Sequence, residues 1–159
     1  MKNNKGFSLV ELIIVIAIMA ILVGVMAPQL IKYIEKSKVS ADTQLADSVH
    51  TAILTAMMDP EVVNNSQYAS SVVVSASSGN ASQLTTTDVV GSAALEILGA
   101  SSGNDLASSL RSTRTSGTWA ATDISWSVLN QNQLSVWING SDATGSKGHG
   151  SNTSVISVK

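Results

Sequence analysis

The stretch GFSLVELIIVIAIMAILVGVMAP, residues 6–28, decides the fold. From residue 12 to residue 27 no side chain is charged or strongly polar. With residues 7–11 added, the run makes a helix of about 30 Å, the thickness of a bilayer core. Ile and Val are modest helix formers, but in lipid every backbone group must be satisfied within the segment, which overrides propensity. Glu11 is the one acid in this run. An acidic residue near the centre of a membrane helix costs roughly 2.5–3.5 kcal/mol, so it calls for a partner or a task.

Outward from this run the chain divides into parts of different composition. Residues 1–6, MKNNKG, form a basic leader whose Lys2 and Lys5 predict that this end stays cytoplasmic. Residues 7–28 form the apolar half of a long helix, and residues 29–58 an amphipathic half. Residues 61–159, rich in Ser, Thr, Asn and Gly, read as a small globular sheet domain. Among 159 residues there is no cysteine, which excludes disulfides, thiolate zinc sites and thiol catalysis. A net charge of −2 gives general electrostatic binding to nucleic acid no support.

Basic head and apolar run also describe a secretory signal peptide, with Val-Met-Ala at 25–27 as a cleavage context, or a plain membrane anchor. Neither explains a glutamate so soon after Gly-Phe, nor an apolar phase that continues past Pro28.

Residues 6–11, Gly-Phe-Ser-Leu-Val-Glu, resemble the class III signal of type IV prepilins and pseudopilins. The resemblance extends through residue 28 and more loosely to about residue 58. It implies an α+β, type IV pilin-like fold, with a long, partly transmembrane N-terminal helix packed on an antiparallel sheet of three or four strands. It implies cleavage between Gly6 and Phe7 and N-methylation of Phe7 by a prepilin peptidase. Glu11 is then expected to neutralise the Phe7 amine of a neighbouring subunit, or else to snorkel to the headgroups. The implied product is a structural subunit of a pilus filament serving adhesion, motility or surface interaction. It begins in the inner membrane and ends in an extracellular filament. Implied partners are other pilin subunits, an assembly ATPase and a platform protein. A pseudopilin of a secretion or DNA-uptake machine, and a non-polymerising membrane-anchored binding module, are the alternatives.

Gly24 and Pro28 predict a kink or a local melt of the helix. Beyond them Leu30, Ile34, Ala41, Leu45, Val49, Ile53 and Met57 predict a buried stripe. Lys32, Glu35, Lys36, Lys38, Asp42 and Asp47 are expected on the open surface. Lys32, Lys36 and Lys38 run against a simple positive-inside count. Asp59-Pro60 reads as a stop.

In the C-terminal domain, residues 68–76 are expected to form a strand or the turn into one. Residues 88–98 suggest a helix capped by Asp88 and ended by Gly99. Residues 99–117 read as loop. Residues 124–129 and 133–138 suggest a hairpin, with Leu134, Val136 and Ile138 on one face and Trp137 on the other. Asn139-Gly140 reads as a turn, residues 140–152 as a polar loop, and residues 154–159 as a last strand.

No catalytic constellation is visible, so the chain is not expected to be an enzyme and no cofactor or metal is implied. Residues 145–150, GSKGHG, lack phosphate-loop spacing. His50 and His149 lie apart. Asp105, Asp123 and Asp142 form a weak calcium candidate. Asn64, Asn80, Asn139 and Asn152 sit in glycosylation sequons.

Overall fold

The computed structural model describes residues 7–76, 78–111, 113–114, 119–130, 133–141 and 156–158. Helix α1, Leu9–Met58, runs unbroken through Pro28. It starts at Leu9 rather than Phe7 because Ser8 caps it. Its second half is rich in hydroxyls, which ordinarily compete with helix formation. Here the hydroxyls of Thr43, Ser48, Thr51 and Thr55 each donate to the carbonyl four residues earlier, at 2.8–2.9 Å. Asp59 then ends α1 and caps the one-turn helix α2, Pro60–Val63, with Pro at its first position.

The buried stripe of α1 is Asp42, Ala46, Val49, Ala52, Ile53, Ala56 and Met57. Val49, Ile53 and Met57 are as expected, but Ala41 is exposed and Leu45 only half-buried. Leu30 and Ile34 lie before the covered zone and are exposed. Asp42, expected on the open surface, is 1% exposed. Its Oδ1 accepts the backbone N–H of Arg111 at 3.0 Å, and a buried carboxylate requires such donors.

Of the two expectations for residues 68–76, the turn into a strand holds: a 3-10 turn, Tyr68–Ser70, and a one-turn helix α3, Val72–Ser75, lead into the strand Ser78–Asn80. The reason lies in Asp88, the N-cap of α4, Val89–Leu98. Its Oδ2 accepts the Gly91 N–H at 2.7 Å and the Ser71 hydroxyl at 2.8 Å. Its Oδ1 accepts the Val72 N–H at 2.9 Å. One carboxylate therefore starts two helices, and three valines that prefer strand are held in a helical turn. Gly91 fits because a Cβ there would lie 3.0 Å from Asp88 Oδ2 and from the Thr85 carbonyl oxygen. Gly99 ends α4 at φ +64°, the left-handed conformation glycine adopts without strain. Asp88→Ala removes all three bonds, one at the start of α4 and two at the start of α3. It is expected to lower stability by about 2–4 kcal/mol, measured by urea unfolding of the detergent-solubilised chain.

Residues 99–117, expected as loop, contain helix α5, Gly103–Ser108, capped by Ser102, and strand β2, Thr113–Arg114. Gly103 donates its N–H to the Leu84 carbonyl, and any Cβ there would strike the Ala81 backbone.

The sheet is antiparallel. β1, Ser78–Asn80, pairs with β3, Trp119–Asn130, which pairs with β4, Gln133–Ser141, which pairs with β5, Ile156–Val158. β2 also pairs with β3, so short β1 and β2 bring the described strands to five rather than three or four. Asn139 and Gly140 are strand residues rather than a turn, because β3 continues opposite them to Ala121. The residues expected as a polar loop after Ser141 lie outside the described ones up to β5.

The inner face follows the alternation in the sequence. Ile124 faces Ile138, Trp126 faces Val136, and Val128 faces Leu134. All but half-buried Val128 are at most 5% exposed. This face, α4 and the stripe of α1 from Ala46 onward share one core. On the outer face, burial raises the Asp123 carboxyl above its ordinary range, opposed by the N–H of Ile124 donating to its Oδ1 at 2.8 Å.

Candidate assembly and processing site

The two halves of α1 have opposite surroundings. The covered half begins at Asp42. Before it, every large apolar side chain from Leu9 to Ile34 is at least 47% exposed, and the membrane-length apolar window has none of its residues buried. This helix is long and apolar enough to cross a membrane. A water-facing surface of this kind is unstable in solvent and must meet lipid or other protein.

At the head of the bare half stands Glu11. Ser8 is the N-cap in extended conformation, and its Oγ accepts the Val10 N–H at 3.4 Å. Glu11, three residues on, returns the bond: the Ser8 backbone N–H donates to Glu11 Oε2 at 3.0 Å. This is a reciprocal capping box, and the acid also sits where the helix dipole favours negative charge. Sequence reasoning assigned Glu11 an intermolecular task and missed this local one, although the Ser-x-x-Glu spacing at 8–11 carries it. Phe7 precedes the cap and is 89% exposed. Gly6 lies outside the described residues. A Cβ on Gly24 would meet nothing within 4 Å, so this glycine fills no packing role within the chain. Pro28 is accommodated in continuous helix.

The other candidates separate. His50 is half-buried, with Nε2 3.1 Å from the Leu134 carbonyl oxygen, tying α1 to β4. Asp105 lies in the first turn of α5 and Asp123 in β3, while Asp142 and His149 are outside the described residues. Among the described residues no three His, Cys, Asp or Glu side chains form a group able to hold a metal.

Comparison with known proteins bears on the same end of the chain. Residues 1–27 match the family model described as the prokaryotic N-terminal methylation motif. A fimbrial protein of Moraxella nonliquefaciens is 46% identical over 55 residues, which is 35% of this chain and 36% of the relative. A type IV major fimbrial protein, FimA, of Dichelobacter nodosus is 43% identical over 56 residues, again 35% of this chain and 36% of the relative. The chain thus spans about a third of the length of the curated relatives it matches. No solved structure matches. The motif, the bare helix behind it and these relatives concern the same N-terminal third, in which this chain is similar to type IV fimbrial proteins.

Proposed function

We propose that this chain is a structural subunit of a type IV pilus filament, anchored in the membrane as a precursor and polymerised through its N-terminal helix. The observation that carries this reading is the bare half of α1: a fully exposed apolar helix joined to a folded domain that covers only the other half. Lipid satisfies that surface before assembly, and the helices of neighbouring subunits satisfy it afterwards. The contact is head-to-tail, so it does not close and yields an open-ended helical filament.

Leader removal between Gly6 and Phe7 leaves a cationic amine at Phe7, which is then methylated. In the filament that amine meets Glu11 of a neighbour, and each charge offsets the other's desolvation. Glu11 Oε2 is held by the Ser8 N–H, so the carboxylate is oriented before the partner arrives. Gly24 and Pro28 provide the segment in which helix hydrogen bonds open most easily, since Pro28 donates none. Chemistry is performed on this chain by a prepilin peptidase; an assembly ATPase and a platform protein drive polymerisation.

The test is to shear cells that express the chain and examine the released material by electron microscopy and immunoblotting. Filaments built from this chain are expected. Gly6→Leu, which blocks the grip of the peptidase on the backbone, is expected to leave uncleaved chain in the membrane fraction and none in the sheared fraction. Filaments assembled from uncleaved Gly6→Leu chain would overturn the proposed order of events.

A further inference from the structure

Lys32 and Lys36 are the charges that the filament reading leaves unused. They lie one helical turn apart, with Gln29 and Tyr33 on the same face, and these four line a shallow groove on α1. All four are exposed. The next lysine behaves differently: Lys38 Nζ is 2.9 Å from Glu35 Oε1, and both are partly covered on the side of the globular domain. Among the described residues neither Lys32 nor Lys36 makes an ion pair.

Their height along α1 gives the charges a setting. With Glu11 at the cytoplasmic boundary of the membrane, Lys32 and Lys36 stand about 32 and 38 Å further along the helix. A hydrocarbon core is about 30 Å thick, and its headgroups occupy the next several ångströms. A tilt of about 20° shortens these heights by only about 2 Å. The exposed apolar surface continues to Leu30, Ile31 and Ile34, so the helix is still apolar where it leaves the core. Tyr33, 67% exposed, sits at the level where aromatic side chains collect at membrane interfaces. The first fully covered residue of α1, Asp42, lies another turn and a half beyond Lys36, so the folded domain leaves this level open.

We infer that Gln29, Lys32, Tyr33 and Lys36 form a binding site for the phosphate headgroups of anionic phospholipids in the extracytoplasmic leaflet, fixing the depth of the unassembled subunit. The inference rests on membrane insertion of the apolar half of α1, but not on polymerisation. It also accounts for lysines on the side that the positive-inside count disfavours: they lie in the interface rather than in a translocated loop. Screening by salt follows, because the contacts are made at the water boundary.

Since the chain has no cysteine, Ser40→Cys gives a single attachment point for a fluorescent donor on an exposed position just above the site. The labelled full-length chain is reconstituted at low density into vesicles of phosphatidylcholine containing some phosphatidylglycerol. Energy transfer is then compared for headgroup-labelled tracers of the two lipids. The expected result is a local enrichment of phosphatidylglycerol of roughly fivefold or more, lost at high salt and in Lys32→Gln/Lys36→Gln. Lys38→Gln, whose lysine is engaged by Glu35, should leave the enrichment unchanged. Equal transfer to both lipids overturns the inference, as does enrichment that survives the double substitution. Cross-links from Lys32 or Lys36 to carboxylates of a second copy, without lipid preference, assign the face to subunit contacts instead. The vesicles contain no assembly machinery, so either result stands whether or not filaments form.

Discussion

Glu11→Gln is expected to abolish filaments while leaving the chain cleaved, inserted and folded. The substitution separates the capping bond that Glu11 makes from the neutralising task proposed for it. Gln serves at the third position of a capping box as Glu does, so the bond from the Ser8 N–H is retained and the helix start is preserved. What disappears is the negative charge. If capping were its whole role, Glu11→Gln would assemble normally and Glu11→Ala would show a loss of about 1 kcal/mol in helix stability. If neutralisation governs, the neighbour's amine is left uncompensated in an apolar interior, and breaking such a pair costs about 3–5 kcal/mol. At 1.4 kcal/mol per tenfold, that raises the subunit concentration needed for growth by roughly a hundred- to several-thousandfold. Sheared filament yield, set against cleaved chain in the membrane fraction, reads the difference. Glu11→Gln and Glu11→Ala should be equally deficient, and normal filaments from Glu11→Gln would remove the electrostatic account.

Trp126→Ala is expected to have the largest effect on the folded domain. The indole is fully buried at the centre of the sheet, opposite Val136 on β4 and Gly79 on β1. Gly79 is a glycine because a Cβ there would overlap the Trp126 ring. The ring Nε1–H donates to the Asn80 carbonyl at 3.4 Å, and Ser125 Oγ donates to Asn80 Oδ1 at 2.9 Å, so the tryptophan and its neighbour together hold β1 against β3. Truncation leaves a cavity that the sheet cannot close and an unpaired carbonyl, for a loss of about 3–5 kcal/mol. Against a total stability of about 5–15 kcal/mol, that removes much of the margin. Near-ultraviolet circular dichroism during urea unfolding of the detergent-solubilised chain measures it. Trp126→Phe, which keeps most of the ring, should recover most of the loss. A deficit below about 1 kcal/mol for Trp126→Ala would show that the core is organised elsewhere.

The parts of the fold legible in the sequence are those written in local chemistry. The apolar run, the Asp59-Pro60 stop, the Asp88 and Gly99 caps and the alternation at 124–128 and 134–138 all depend on neighbours a few residues away, and all stand in the structure. What failed to be legible depends on distant partners. Val72, Val73 and Val74 leave strand and turn both open because the carboxylate that makes them helical comes from Asp88, sixteen residues from Val72. Asp42 read as surface because its donor is the backbone of Arg111. Asn139-Gly140 read as a turn because only the length of β3 shows that the ladder continues past it. At the assembly site the same division holds. Glu11 is legible as a charge in an apolar run, and its cap is legible in the Ser-x-x-Glu spacing at 8–11, whereas a partner on a neighbouring subunit is not.

The most direct measurement of the central claim is the intact mass and N-terminal sequence of the chain recovered from sheared filaments. The expected result is a subunit that begins at Phe7 and is heavier by one methyl group than the bare cleaved chain. A chain beginning at Met1, or at Gln29 after cleavage at a conventional signal site, would contradict the account, because neither leaves a Phe7 amine for Glu11 to neutralise.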